Sequence, residues 1–339
     1  MKIKIIFFVK LIHGVEKIVL KKKIGLGTWS WGNKFFWNYQ VSSDEELFET
    51  FSEALNQGFS FIDTADSYGT GSLSGRSEKL IGQFLQRVIK AKKNNIQIAT
   101  KLAPYPWRIG RQGFSKPFKK SLNRLNNQLD IVQLHWSAEK YNPWQDFQLL
   151  QNLCDLIDEG FQFQIGLSNI GPKRLLKIIH FLKDKNKRVS SVQVQFSLLS
   201  PNNEKQKHIK KICDQNKIDF LAYSPLAFGI LCQDPSITDT GKRSLLRNFI
   251  FQTYNKPTLE LRNVMKEISN ARSASLAQVA LNWCFYQGVI PIVGLRKKKQ
   301  VLDICNVFKW DLTQREFEML ETVSKSCVKK LPDNPFSSL

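Results

Sequence analysis

Short apolar runs recur along the chain and break off at polar or glycine-containing segments. "IGLGT" (24–28), "SFIDT" (60–64), "IQIATK" (96–101), "DIVQLH" (130–135), "FQIGLS" (163–168), "SVQVQF" (191–196), "DFLAYS" (219–224) and "VIPIVG" (289–294) each have the length of a buried strand. Between them the apolar positions change to helical spacing, over 43–58, 76–90, 145–158, 172–184, 203–216, 258–270, 275–287 and 297–307. In "SSDEELFETFSEALNQG", Leu47, Phe48, Phe51 and Leu55 make one stripe, Ser43 and Glu46 read as a capping box, and Gly58 suits a left-handed helix end. Ahead of these, "IIFFVKLI" and "VEKIVL" flank Gly14 as the two arms of a β-hairpin.

Strand and helix therefore alternate, and parallel neighbours are the pairing that needs such crossovers. Eight units predict a closed (β/α)8 TIM barrel, which at 339 residues leaves room for extra loops beyond the roughly 250 such barrels use. An open doubly wound sheet would want a glycine fingerprint opening a helix after an early strand, and "GLGTWSWG" opens none. The expected organisation is one domain over 1–339: a hairpin to about 22, the barrel over 23–310, and a C-terminal helix and tail over 311–339.

In such a barrel the chemistry gathers at the C-terminal ends of the strands. Asp63 and Tyr68 close the second run, Lys101 the third and His135 the fourth, so four titratable side chains meet on one rim. A free tyrosine titrates near ~10, and a neighbouring ammonium lowers that value by stabilising the phenolate. Lys101 can do this for Tyr68 while Asp63 pairs the lysine, which makes Tyr68 a tuned general acid. Singly, each has an ordinary use, as a helix cap, a surface lysine, a packed aromatic or a core histidine. At the ends of consecutive strands they point to proton transfer.

Composition adds a core and a charge. Apolar residues make up 42% of the chain, with 24 Phe and 8 Trp, which excludes disorder as the dominant state. The net charge of +21 raises the question of an acidic partner. Lysines are scattered in short runs with no basic tail or RNA-binding signature, so a solvated basic surface is expected and a nucleic-acid partner is not. The six cysteines show no CxxC spacing, which predicts neither disulfide framework nor metal site and suits a reducing interior. The N-terminal apolar run spans five residues before Lys10, and no stretch approaches the about 20 residues that cross a bilayer. A cytoplasmic or plastid-stromal location away from membranes is expected.

"GFSFIDTADSYG", "IATK", "LDIVQLHW", "IGLSNI", "VQVQFSLL" and "AYSPLAFG" stand in the order and spacing of the aldo-keto reductase superfamily. The resemblance runs from "IGLGTWSWG" to "VIPIVGLRKKKQV", nearly the whole chain. "LGTWSWGNKFFW" and "PWRIGRQ" are further similar to the cyanobacterial and plastid branch, related to potassium-channel β subunits and pyridoxal reductases.

The resemblance implies an NADPH-dependent carbonyl reductase with Asp63, Tyr68, Lys101 and His135 as its tetrad, Tyr68 giving the proton and His135 orienting the carbonyl. It implies carboxamide contacts at Ser168, Asn169 and Gln193, ring stacking on Tyr223, and a pyrophosphate path along Ser224, Pro225, Leu226 and Gly229. Gly294, Arg296, Gln300, Asp303 and Arg243 fall at the adenosine 2′-phosphate end, and Thr28 and Trp29 near the ring. Two positions depart from the family pattern: Asp234 stands near a usual lysine, and Ile304 where an adenine-binding asparagine is found. Both imply a looser grip on NADPH. Trp29, Trp31 and Trp136, with Phe36, are expected to line the pocket of a small carbonyl substrate the sequence does not name. A monomer is expected. The resemblance to channel β subunits also leaves open an NADPH-binding redox sensor with little turnover.

Overall fold

The computed structural model of the protein describes residues 22–88, 95–200, 203–237, 243–332, 334 and 338. Strands β1 (Gly25–Gly27), β2 (Phe61–Asp63), β3 (Gln97–Leu102), β4 (Ile131–Leu134), β5 (Gln164–Ser168), β6 (Val189–Gln195), β7 (Asp219–Tyr223) and β8 (Ile290–Gly294) form a closed parallel barrel. β1 pairs with β8 to complete it, so the expected (β/α)8 architecture is the observed one. The expected hairpin around Gly14 lies outside the described residues. No helix among the described residues is long and apolar enough to cross a membrane.

The alternation of strand side chains sorts the barrel interior into layers. Phe61, Ala99, Ile131, Leu221 and Ile292, from five strands, pack together as an apolar plug. Two residues further along β2, β3, β4 and β7, the same face carries Asp63, Lys101, Gln133 and Tyr223. Outward-facing neighbours such as Ile62, Ile98 and Val132 join the main core against the helices. Gly25 leaves room for the plug: a Cβ there would stand 2.4 Å from the Ile292 side chain.

The helices are α1 (Lys34–Trp37), α2 (Asp44–Asn56), α3 (Arg76–Arg87), α4 (Ser115–Arg124), α5 (Gln145–Asp158), α6 (Pro172–Lys183), α7 (Asn203–Gln215), α8 (Leu245–Asn255), α9 (Leu259–Ala271), α10 (Leu276–Tyr286), α11 (Lys298–Cys305) and α12 (Gln314–Ser326). α2 buries Leu47 and Phe51 as its stripe predicts, and Gly58 has φ +85°. The capping box is absent. Ser43 has helical backbone angles at the end of a 3-10 turn over Val41–Ser43, and its hydroxyl caps nothing. The first-turn acids Asp44, Glu45 and Glu46 instead meet the positive helix end.

The sequence reading omits α4 and α8. In α4 the buried face is short, Phe118 and Ser121 with Leu122 packed beside them, and in α8 exposed Leu245, Leu246 and Phe249 spread apolar residues around the helix beside buried Phe251 and Tyr254. After α12 the chain returns across the barrel end. The Leu331 amide bonds to the Leu199 carbonyl (2.8 Å), and the Ser338 hydroxyl accepts from the Gly171 amide (2.7 Å). The described tail residues thus lie over the rim that carries the polar layer.

Candidate active site

A cavity of about 1060 Å³ opens at the C-terminal ends of the strands, with Asp63, Tyr68, Lys101 and His135 all on its wall. Period-two alternation places Asp63 directly above Phe61, and Lys101 above Ala99. Tyr68 arrives on the loop after β2, where its amide bonds to the Ala65 carbonyl and Gly69 turns the chain at φ +120°. A Cβ on Gly69 would lie 1.8 Å from the Leu73 carbonyl oxygen, so only glycine fits this turn.

Lys101 is 1% exposed and its ammonium is fully engaged. It donates to Asp63 Oδ2 (2.7 Å), the Thr64 carbonyl (2.8 Å) and the Tyr68 hydroxyl (3.1 Å). Burial pulls the Lys101 ammonium down, but Asp63 and Tyr68 outweigh it and its pKa ends above the usual lysine value. The other oxygen of Asp63 accepts from Gln193 Nε2 (2.7 Å) and Gln133 Nε2 (3.3 Å). Four strands thereby hold one carboxylate.

The expected lowering of the tyrosine is overturned. Burial pushes the Tyr68 phenol up, and the Asp63 carboxylate adds to this, so the pull of Lys101 offsets only part of the rise. The phenol keeps its proton through neutral pH. His135 moves the other way: burial, then the positive fields of Lys101 and Arg108, hold it well below the usual histidine value and therefore neutral. Its ring lies 5.8 Å from that of Tyr68, centroid to centroid. Asp66, next to this group in sequence, has a structural use. It accepts from Arg108 (2.5 Å) and from the Ala103 amide (3.3 Å), tying the Tyr68 loop to the loop after β3.

A second set of polar groups follows the rim. Asn169 donates to the His135 carbonyl (3.0 Å) and Ser168 Oγ (3.1 Å), and its Oδ1 accepts from the Tyr223 hydroxyl (2.8 Å). Asn334 of the tail donates to both Asn169 Oδ1 (3.0 Å) and Tyr223 Oη (2.9 Å). Beyond Tyr223, positive φ angles at Ser224, Ala227, Phe228 and Gly229 coil the chain tightly against the cavity. Left-handed non-glycine residues cost about 1–3 kcal/mol each and persist where surrounding structure demands them.

Further out, Arg243 and Arg247 line the cavity and Arg296 stands beside them. Arg247 lies over the Trp37 ring (4.3 Å) and donates to the Phe228 carbonyl (3.2 Å). Burial, together with the positive fields of Arg243 and Arg296, lowers its pKa to about 10. Arg296 donates to the Trp37 carbonyl (2.7 Å), and Gln300, on the cavity wall, caps the Arg296 and Lys297 amides. Asp234 also faces the cavity, but Lys266 from α9 pairs with it and holds its pKa at about 2.

Several expected contacts are not on this wall. Trp31 is fully buried; its indole donates to the Leu295 carbonyl (3.0 Å) and packs against Phe51 and Phe84, so it belongs to the core. Thr28 is also buried, with its hydroxyl donating to the Asp63 carbonyl (2.9 Å) and bonded to Ser77, which joins β1 to β2. Asp303 turns to the start of α10, accepting from Ser275 (2.9 Å) and Gln278 (2.9 Å). Ile304 is 2% exposed in the main core. Phe36 lies behind Trp29, Trp37 and Phe228. Trp29, Trp136, Pro225, Leu226 and Gly294 do line the cavity.

The sequence reading missed three groups: Arg247 and Asn334 on the wall, and Gln133 buried beneath it against Asp63. Gln133 had a signal, since it stands two residues before His135 on the same strand face. Arg247 had none while α8 went unrecognised, and nothing in the sequence ties Asn334 to residues so distant along the chain.

Residues 23–325 match the sequence model of the Aldo/keto reductase family. The chain is 41% identical over 321 residues to the chloroplastic pyridoxal reductase of Arabidopsis thaliana, covering 93% of this chain and 86% of that protein. It is 24% identical to a putative aryl-alcohol dehydrogenase of Schizosaccharomyces pombe, over 88% and 91% of the two chains. Among solved structures, a glycerol dehydrogenase from Gluconobacter oxydans superposes with a TM-score of 0.73 at 24% identity, covering 93% of this chain and 95% of that one.

Proposed function

Because the chain belongs to the aldo/keto reductase family, and is thus an oxidoreductase acting on carbonyl compounds, we propose that it reduces an aromatic aldehyde using NADPH, with Tyr68 as proton donor. The observation that carries this reading is the Lys101 ammonium bonded at once to Asp63 and Tyr68 on the cavity wall, with the His135 ring alongside.

The cavity fits a dinucleotide phosphate. Gln193 spends its amide nitrogen on Asp63, which leaves its carbonyl oxygen, with the Ser168 hydroxyl, for a carboxamide, while Asn169, bonded to His135, Ser168, Tyr223 and Asn334, would exchange one of those bonds to join them. Tyr223 offers a ring face, and the coiled segment from Ser224 to Gly229 suits a pyrophosphate, since such turns aim backbone amides at anions. Arg243, Arg247 and Arg296 crowd three positive charges where a 2′-phosphate would relieve their repulsion. A carboxylate that recognised a ribose diol would favour NADH instead; Asp303 is turned away to Ser275 and Gln278.

When bound, the reduced nicotinamide supplies hydride to the carbonyl carbon. Tyr68 gives its hydroxyl proton to the carbonyl oxygen, which completes the alcohol. Lys101 stabilises the phenolate left behind, and Asp63 keeps the ammonium in place. Neutral His135 orients the carbonyl by hydrogen bonding, and the aromatic side chains of Trp29 and Trp136 flank the entrance. The raised Tyr68 pKa suits the direction of reduction, because the donor stays loaded at neutral pH.

The relative named for pyridoxal makes that aromatic aldehyde the first substrate to test. Tryptophan-fluorescence titration with NADPH and NADH, followed by NADPH oxidation over a panel of aldehydes including pyridoxal, tests the proposal. Tighter NADPH binding and turnover are expected. Binding without turnover on any aldehyde would leave a cofactor sensor, and equal affinity for the two nucleotides would remove the phosphate site from the arginine cluster.

A further inference from the structure

Six large apolar side chains have no part in the cavity's chemistry, yet all stand exposed around its mouth. The segments that follow the strands lie on the rim where the cavity opens. Trp107 and Ile109 stand on the loop after β3 and Trp144 on the loop after β4, with both tryptophans 74% exposed. Gln145, beside Trp144, donates to the Tyr105 (2.8 Å) and Arg108 (3.0 Å) carbonyls on either side of Trp107, which fixes the two loops as one unit. A second unit is made by α1 after β1 and α8 after β7. Phe35 of α1 is 77% exposed, and Leu245 and Phe249 of α8 are 91% and 66% exposed. The Ser244 hydroxyl donates to the Phe36 carbonyl (2.8 Å), joining the two helices, and Arg247, between Leu245 and Phe249, lines the cavity. Trp136 lines the cavity beside Tyr105 of the first unit, and Trp29 lines it beside Phe36 of the second, so the mouth opens between them.

We propose that this face docks on a membrane surface bearing anionic phospholipid, with the cavity mouth turned toward the headgroups. Charge selects the partner. The segments 28–43, 103–114, 135–144 and 243–256 carry seven lysines and arginines, among them Lys34, Arg111 and Lys140, against one acid, Glu139, which is paired with Arg174 (3.6 Å). The net charge of +21 adds a longer-ranged attraction to a negative surface. Tryptophan, phenylalanine and leucine among cations are the side chains that settle at the boundary between headgroups and acyl chains. A spanning helix is not needed for this kind of attachment. The shape of the face also decides between partners. A stable protein interface wants one continuous, closely packed patch, whereas here two units flank an opening, and a fluid surface receives such separated side chains. A second copy of the chain would bring like charges together.

Vesicle binding needs neither cofactor nor turnover, so its outcome is separate from that of carbonyl reduction. The test is sedimentation of the full chain with vesicles of phosphatidylcholine, alone or carrying about one third phosphatidylglycerol. The wild type is expected to bind the anionic vesicles at least about tenfold more tightly than the neutral ones, and to be released as salt rises from about 0.05 to 0.5 M. Two double variants each remove one unit: Trp107→Ser with Trp144→Ser, and Leu245→Ser with Phe249→Ser. Because these side chains are exposed, both variants should keep the circular dichroism and melting temperature of the wild type, yet each should lose about tenfold or more in affinity for the anionic vesicles. Quenching of wild-type tryptophan fluorescence by lipids brominated along the acyl chain reads the same contact without any variant, and strong quenching is expected. No binding of the wild type at low salt, undiminished binding in both variants, or no bromolipid quenching would each overturn the inference. A dimer in sedimentation velocity that both variants dissociate would also overturn it, by assigning the face to a second copy of the chain.

Discussion

Replacing Lys101 with Met removes the ammonium and keeps the volume, which makes it a direct probe of the buried polar layer. Lys101 is 1% exposed, and Asp63 is 3% exposed, so the substitution leaves a carboxylate in the interior without its countercharge. Breaking a buried pair this way costs about 3–5 kcal/mol. The low end applies here, because Gln193 and Gln133 still donate to Asp63 Oδ1. About 3 kcal/mol is a large share of the 5–15 kcal/mol that holds a typical domain, and at about 2.1 cal/mol/K of unfolding entropy per residue it corresponds to a fall in Tm of roughly 4 °C for this 339-residue chain. The second step is Lys101→Met with Asp63→Asn, which removes the orphaned charge and keeps an oxygen for both glutamines. That double variant should recover about 1–2 kcal/mol over the single one. Urea denaturation followed by circular dichroism, with all variants at one pH, measures both differences. A Lys101→Met protein within about 1 kcal/mol of the wild type, or a double variant less stable than the single, would refute the claim that Asp63 depends on Lys101 for its charge.

The arginine cluster predicts that Arg247→Ala or Arg296→Ala weakens NADPH binding about tenfold and leaves NADH binding unchanged, as read by fluorescence titration. With Tyr68 raised and His135 lowered, the donor stays protonated and the histidine neutral, so reduction at saturating NADPH should be flat from about pH 7 to 9. A fall through pH 8 in steady-state rates would mean that Tyr68 titrates lower than its burial implies. Trp31→Ala should destabilise the fold by about 3–5 kcal/mol without a specific loss of substrate affinity, because its indole fills the core against Phe51 and Phe84. A raised KM at unchanged stability would return Trp31 to the pocket.

Much of the barrel can be read before any coordinates, because strand burial and helix amphipathicity are local signals. All eight apolar runs became strands, and the polar residues closing the second, third and fourth met on one rim. What remained hidden was of two kinds. Elements with a short buried face, such as α4, or with apolar residues on exposed and buried sides alike, such as α8, were not recognised, and with α8 went Arg247. Side-chain direction was the other. Trp31, Thr28 and Asp303 stand within a few residues of cavity-lining neighbours, yet each turns to an interior partner that sequence spacing does not reveal. The Tyr68 pKa went astray for a related reason: proximity to Lys101 was legible, whereas the larger effect of burial depended on packing.

The central claim is that Tyr68 transfers the proton, and the most direct measurement is single-turnover oxidation of bound NADPH by pyridoxal in wild type and Tyr68→Phe. The account predicts rapid oxidation in the wild type, a loss of at least about 10²-fold in the variant, and NADPH affinity equal within twofold. Equal oxidation rates in the two proteins, with NADPH bound in both, would contradict it.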